Sequence, residues 1–420
     1  MKKYSNVMNT NVTWIPQIPA HWKLQKINAL FTERKKKVSD KDYKPLSVTK
    51  KGILPQLEHA AKSNDSDNRK LVKKGDFVIN SRSDRKGSCG VSRLDGSVSL
   101  INIVLTPSNE LNSEYIHYLL RNYRFSEEYY RNGRGIVADL WTTRYSEMRT
   151  ILLPVPPRAE QDQIVRFLDW KVSEINKLIG IRRKEIKELE KLCWIVIVNA
   201  ISKVKQKNIS EWKRVRVKQI CRMQSGTNLI SQVIGQSGNY PVYGGNGLRG
   251  YYKNYTNDGQ YVIIGRQGAL AGNVHLVEGR FWATDHAIVV YCSKFLIPRY
   301  AYYLFTGMNL NQYAFNAAAQ PGLSVTKILN LQCDVPSVAR QLEIADRLDE
   351  ICIQLEKIVN NTKKKIKLLQ ELKSVIISDV VTGKIDVRNI PVPAYEHVDD
   401  LTADDGEGND GETGIPGEED

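Results

Sequence analysis

Between Asn80 and Gly87 the chain concentrates more hydrogen-bond donors than a surface turn needs: Asn80-Ser81-Arg82-Ser83-Asp84-Arg85-Lys86-Gly87. Arginine offers a planar fork that matches a phosphate or the O6/N7 edge of guanine, and serine and lysine suit phosphate oxygens. The stretch follows a β-type run, Phe77-Val78-Ile79, so the donors would sit on a loop at a strand end. Arg82 is read as the base-directed group, with Ser81 or Lys86 on phosphate and Asn80 and Arg85 beside them. A second stretch repeats the logic. Arg266-Gln267 follows Tyr261-Val262-Ile263-Ile264, and the pair can read guanine and adenine respectively. Tyr243, Asn246, Arg249 and Lys253 form a further polar loop group, and Trp141, Arg144, Gln320 and Ser324 lie near the ends of the two segments. For any single residue the competing reading is an exposed, solvated side chain.

The charge says what such donors would meet. From Glu396 onward there are eleven acidic residues and no Lys or Arg, so the net +15 of the chain becomes +26 for residues 1–395. A surplus of that size points to a polyanion, with phosphate neutralisation as the driver. Lys35-Lys36-Lys37 and Lys363-Lys364-Lys365 read as ordinary solvated faces, and Trp170 and Trp194 as packing or partner-contact residues.

Chemistry of other kinds finds no footing. There is no GxxxxGK[ST] loop for a nucleoside triphosphate, and no Asn-Pro-Pro-aromatic or Asp-Pro-Pro-aromatic stretch of the kind that transfers methyl groups to amines. Gly244-Gly245-Asn246-Gly247 and Gly265-Arg266-Gln267-Gly268 open no convincing helix. Six cysteines without a CxxC pair argue for reduced packing residues rather than a zinc site or disulfide framework. The expectation is a chain with no catalytic centre, metal or cofactor of its own. No apolar run is long enough to cross a membrane, and Met1-Lys2-Lys3 leads into no apolar signal core, so the expected location is cytoplasmic.

The elements that must position these loops come in two copies. Val155-Pro156-Pro157-Arg158-Ala159-Glu160-Gln161 returns as Val335-Pro336-Ser337-Val338-Ala339-Arg340-Gln341, 180 residues on, and the match continues through Ile164/Ile344, Leu168/Leu348, Leu192/Leu372 and Ile197/Ile377. Pro154, Pro156 and Pro157 block helix upstream, and the stretch that follows reads as one long helix. Leu168, Ile175, Leu178, Leu189, Leu192 and Val196 follow coiled-coil spacing, as do Leu348, Ile351, Leu355, Ile358, Leu369, Leu372 and Ile376. Because a globular segment can return the chain between them, the expected pairing is antiparallel; the alternative is that each helix packs on its own globular domain. The fold class is α+β: two globular domains separated by two long helices in an antiparallel coiled coil, related by a pseudo-two-fold axis. The expected divisions are 1–157, first globular domain; 158–205, first helix; 206–336, second globular domain; 337–388, second helix; and 389–420, a disordered acidic tail. Looser repeats support two divergent modules: Gly75–Arg82 matches Gly259–Arg266, and Tyr115–Leu120 matches Tyr300–Phe305.

A family resemblance now becomes specific. Trp14-Ile15-Pro16-Gln17-Ile18-Pro19-Ala20-His21-Trp22, the Pro156–Gln161 stretch with its long helix, and Thr382-Gly383-Lys384-Ile385-Asp386-Val387 together resemble the specificity subunits of type I restriction-modification enzymes, over residues 12–388. The resemblance implies two target-recognition domains that read a bipartite double-stranded DNA site. It also implies assembly with two methyltransferase subunits and, in the restricting form, with restriction/translocase subunits. Those partners would supply the S-adenosylmethionine, ATP and magnesium chemistry. Ser337 and Arg340 depart from the pattern, where a proline and an acidic residue are expected. Half-sites about one duplex turn apart, roughly 34–36 Å, would suit two domains on a rigid spacer. Gln161 and Gln341, with Ile164 and Ile344 nearby, are expected to be exposed helix-start residues that contact the methyltransferase partners. Two rival readings remain, a stand-alone DNA-binding or structural protein and a restriction-modification protein with a cryptic catalytic centre.

Overall fold

The computed structural model describes residues 2–56, 66–135, 141–202, 212–267, 271–317 and 320–399. It divides into two compact units, residues 1–183 with 363–420 and residues 184–362, so each unit holds one globular domain and a segment of both long helices. The α+β expectation holds.

In the first unit, a four-stranded antiparallel sheet runs in the order Cys89–Val91, Phe77–Asn80, Asn102–Pro107, Phe31–Glu33. Phe77-Val78-Ile79, read from sequence as a β run, is a fully buried inner strand, which explains its continuous apolar character. Helix Ser113–Arg121 is capped by Asn112, whose side chain accepts from the Glu114 and Tyr115 amides. Lys23–Lys26 pairs antiparallel with Leu152–Val155, which delivers the chain into the first long helix, Arg158–Ile201.

The second unit repeats the plan. A six-stranded sheet contains Ala287–Cys292 beside Asn257–Gly265 beside Val274–Ala283, and helix Pro298–Gly307 stands in the place of Ser113–Arg121. Lys213–Arg216 pairs with Gln332–Val335, which leads into the second long helix, Val338–Val381. Trp22 and Trp212, near the two domain starts, are both buried.

Each long helix has 44 residues, about 66 Å at 1.5 Å per residue. Within the first unit, Gln163 donates to the carbonyls of Val387 and Ile390, and Asn176 meets Lys373 at 3.2 Å. Moving up one chain moves down the other, so the segments are antiparallel. In the second unit Cys193 lies beside Cys352 while Val196 and Ala200 lie near Ile344 and Leu348, the same sense. The seam is narrower than the leucine spacing suggests. Leu168, Ile175, Leu348 and Ile376 are buried, whereas Leu178, Leu192, Ile358 and Leu372 remain exposed. Residues such as Ile179, Val359 and Thr362 take their place in the packed interior.

Residues 389–399, expected to belong to the unstructured tail, instead lie along the first helix. Asn176 donates to the Val398 carbonyl at 2.9 Å, Ser173 accepts from the Val398 amide, and Ile390 and Val392 pack on the core. Pro391 and Pro393, which suit an extended run, and the apolar residues between 390 and 398 account for this. The rest of the expected tail, 400–420, lies outside the described residues.

Candidate nucleic-acid interface

The sheet delivers Asn80 to the mouth of the first loop, but Asn80 itself is buried. Its Oδ1 accepts from the Arg82 amide at 3.0 Å, which bends the chain as the strand ends. Ser81 is also buried, and its carbonyl accepts from the Thr143 amide at 2.9 Å. Both residues therefore shape the loop, and Ser81 is not placed to meet phosphate. A single helical turn, Ser83–Arg85, follows and exposes Arg82, Arg85 and Lys86. Arg82 and Arg85 flank Asp84 at 3.4 and 3.7 Å, and Lys86 pairs with Glu127 at 2.6 Å. These are exposed pairs that a phosphate could displace at little cost.

The structure brings residues 141–144 to this loop from 60 positions away in sequence. Ser83 donates to the Trp141 carbonyl at 3.1 Å, and Arg82 bridges Thr142. Trp141 is half-buried and its indole donates to the Tyr130 carbonyl at 2.8 Å, so it anchors the loop. Arg144 is exposed at the start of helix Tyr145–Met148. Sequence reasoning missed Arg134, which exchanges two backbone hydrogen bonds with Thr142 and whose side chain is 86% exposed, with Glu147 at 3.9 Å. The signal was present in Gly133-Arg134-Gly135. A Cβ on Gly133 would come within 2.4 Å of the Trp141 indole nitrogen, so only glycine allows this approach. Arg82, Arg85, Arg134 and Arg144 thus share one loop cluster.

The second unit builds its cluster at the corresponding place. Arg266 ends the equivalent strand, its amide donating to the His286 carbonyl and its own carbonyl accepting from the Leu323 amide at 2.8 Å. Gln267 bridges Gly322, the counterpart of the Arg82–Thr142 bridge. Gln267 is exposed, whereas Arg266 is half-buried with its guanidinium 3.5 Å from the Asp285 carbonyl. Ser324 is exposed and caps helix Val325–Asn330 as Arg144 precedes its own short helix. Gln320 lies on the strand Gln320–Gly322; its side chain is outside the described residues.

The Gly244–Gly247 turn joins this cluster, because Gly245 packs against the carbonyls of Gln267 and His286. It carries Asn246 exposed at its tip, between strands Tyr240–Gly244 and Gly247–Tyr252. Arg249 is exposed with Nη2 3.2 Å from Ser231 Oγ. Tyr243 is half-buried edge-on to Phe281, and burial raises its hydroxyl pKa. Lys253 is not part of the group. The hairpin register places Tyr252 opposite Tyr240 at the end away from the turn, so Lys253 leaves at the far end. His275 packs beneath Gly247, and burial lowers its pKa.

The helix-start residues are not where the sequence reading put them. Gln161 is 1% exposed, accepts from the Asn112 amide at 2.8 Å and donates to the carbonyls of Glu110 and Pro156. Gln341 is 0% exposed, accepts from the Ile297 amide at 3.0 Å and donates to Phe295 and Pro336. Ile164 and Ile344 are buried beside them. All four belong to internal joints, because the amide side chain satisfies backbone groups left open between two helix starts. Among the described residues, no group of three or more His, Cys, Asp or Glu could hold a metal ion, and no helix is long and apolar enough to cross a membrane.

Two units of one plan, each a sheet-bearing domain joined to long helices and offering a different polar loop cluster, define a duplicated scaffold. Residues 209–368 match the family model of the type I restriction modification DNA specificity domain. The chain is 38% identical over 201 residues to the type I restriction enzyme EcoprrI specificity subunit of Escherichia coli, covering 47% of this chain and 49% of that protein. It is 30% identical over 118 residues to the putative type I restriction enzyme specificity subunit S.HindORF215P of Haemophilus influenzae, covering 27% and 30%. The matches thus span about half or less of the length of these curated relatives. A chain from a structure on complex assembly and conformational transition of the type I R-M system shares the fold, with a TM-score of 0.65 over 88% of this chain and 99% of that one at 14% identity. The resemblance read from the sequence is supported: residues 209–368 match the type I restriction modification DNA specificity domain, and the chain is similar over part of its length to specificity subunits of type I restriction enzymes.

Proposed function

We propose that this chain is the non-catalytic subunit that reads a bipartite double-stranded DNA site and directs adenine methylation and restriction to it. The observation that carries the reading is the matched pair of bridges, Arg82–Thr142 and Gln267–Gly322. Each ties the loop after the same strand to the loop before the last short helix, and each gathers a different set of exposed donors. Arg82, Arg85, Arg134 and Arg144 serve the first half-site; Asn246, Arg249 and Gln267 serve the second, with Arg266 and Ser324 at its margin. Guanine and phosphate suit the arginine-rich first cluster, and adenine suits the amide of Gln267.

The same reading gives the long helices two methyltransferase subunits to hold, with restriction/translocase subunits joining the complete enzyme. The support lies in exposed apolar residues that recur at the 180-residue offset. The first unit exposes Leu178, Leu372 and Val375; the second exposes Ile358, Leu192 and Ile195, each residue between 37% and 48% exposed. Each unit carries its own complete set, as two identical partners require. The partners would bring S-adenosylmethionine, ATP and magnesium.

The test is co-expression with a methyltransferase subunit followed by mapping of methyladenine across the host genome. A split motif with a fixed gap is expected, and purified chain alone should transfer no methyl group. A continuous motif, or transfer without a partner, would sink the proposal.

A further inference from the structure

Six cysteines lie in the chain, and two of them meet. Cys193, on the first long helix, and Cys352, on the second, place their Sγ atoms 3.3 Å apart within the second unit. Both are free and half-buried. They are not counterparts in the duplication, since the positions 180 residues away hold Lys373 and Val172. The pair therefore did not arise from a shared seam pattern and is peculiar to this crossing of the helices. Cys89, Cys221 and Cys333 are buried by contrast, and Cys221 and Cys292 stand opposite each other on paired strands.

We propose that Cys193 and Cys352 form a redox-modification site, oxidised by low-molecular-weight disulfides to a cystine that ties the two helices together. Two sulfurs at 3.3 Å need an approach of roughly 1.3 Å to reach bonding distance, which side-chain rotation at half-buried positions can supply. In the proposed exchange Cys193 acts first; burial and the neighbouring sulfur raise the pKa of the Cys352 thiol. The Cys193 thiolate attacks one sulfur of the small disulfide, forming a mixed disulfide and releasing one small thiolate. The Cys352 thiolate then attacks Cys193 Sγ, forming the protein S–S bond and expelling the second small thiolate. The two protons lost by the cysteines end on the two small thiols, and the small disulfide is the species reduced.

Closing a link across 159 residues restricts the unfolded chain strongly, so the oxidised second unit should unfold at higher temperature. The experiment treats the full-length reduced protein with oxidised glutathione, blocks remaining thiols with a maleimide, and maps peptides without reduction. The expected product is one cross-linked peptide joining Cys193 to Cys352, at least a tenfold loss of maleimide labelling at both, and an upward thermal shift reversed by dithiothreitol. C352S should stop at the Cys193–glutathione mixed disulfide and show no thermal gain. Separate glutathione adducts on both cysteines of the unmutated chain, or no cross-link while Cys193 still labels freely, would overturn the assignment.

Discussion

In the first unit, Gln161 reaches back from the start of a long helix to the amide that begins Ser113–Arg121; in the second, Gln341 makes the same three bonds ahead of Pro298–Gly307. The two polar loop clusters, built on equivalent strands, share a backbone bridge but few side chains. One is an eight-residue run with Arg82 and Arg85 flanking Asp84, and the other is a short turn with half-buried Arg266 and exposed Gln267. Identity between the copies thus marks the joint that both modules need, while difference marks the surface on which each is alone. Repetition of a polar residue was no sign of exposure, because a buried glutamine that satisfies three backbone groups is as constrained as a core leucine.

The strongest way to break this comparison is at the joint. Gln161→Leu would strand the Asn112 amide and the Glu110 and Pro156 carbonyls in the interior, and Gln341→Leu would do the same in the second unit. Each should cost about 3 kcal/mol, from the penalty for unsatisfied buried groups, read as a lower denaturant midpoint. An unchanged midpoint in both variants would return the glutamines to the surface role.

The second test sets the two loop clusters against each other. Arg82→Ala should relax reading of the first half-site and cost about 1–3 kcal/mol there, and Gln267→Ala should do so at the second. Arg134→Ala should weaken binding to all sequences alike and lower the salt slope by about 1, as loss of one phosphate contact does. Uniform loss in all three variants would make the clusters electrostatic only.

Much of this arrangement is legible in the amino-acid sequence. The prolines before Arg158, the 180-residue offset and the apolar run of Phe77–Ile79 all reflect local rules, and the helices and strands they imply are present. What sequence could not give was closure. Arg134 and Thr142 meet Arg82 only because loops distant in sequence converge at one sheet edge, and Lys253 falls away because the hairpin register sends it to the other end. The heptad grid likewise shows which residues are apolar, but not which of them the seam covers.

A third, smaller effect concerns the exposed apolar sets. Leu372→Ser in the first unit and Leu192→Ser in the second should each weaken methyltransferase association by about 1 kcal/mol, in proportion to the apolar area withdrawn from an interface. Neither should change folding stability by more than about 0.5 kcal/mol, the usual scale for surface substitutions, since Leu372 is 47% and Leu192 46% exposed. Loss from one substitution but not the other, measured by titration calorimetry, would show that the two units do not hold equivalent partners.

The finest distinction is one of pH. His275 lies under the Gly244–Gly247 turn of the second unit, its Nε2 buried with no hydrogen-bond partner among the described residues, and desolvation lowers its pKa from 6.5. A group whose folded pKa lies below its unfolded value stabilises fully above the unfolded pKa. That stability is lost as pH falls toward the folded value, because the unfolded chain takes up the proton first. The second unit should therefore lose stability as pH drops from about 7.5 to 5.5. His275→Gln removes the titrating group and should flatten that slope while the first unit's response stays as it was. The same turn carries Asn246, so protonation should also loosen reading of the second half-site before the first. Equal pH dependence of H275Q and the unmutated protein, followed by thermal unfolding across that range, would show that the ring is hydrated after all and that the turn stands without it.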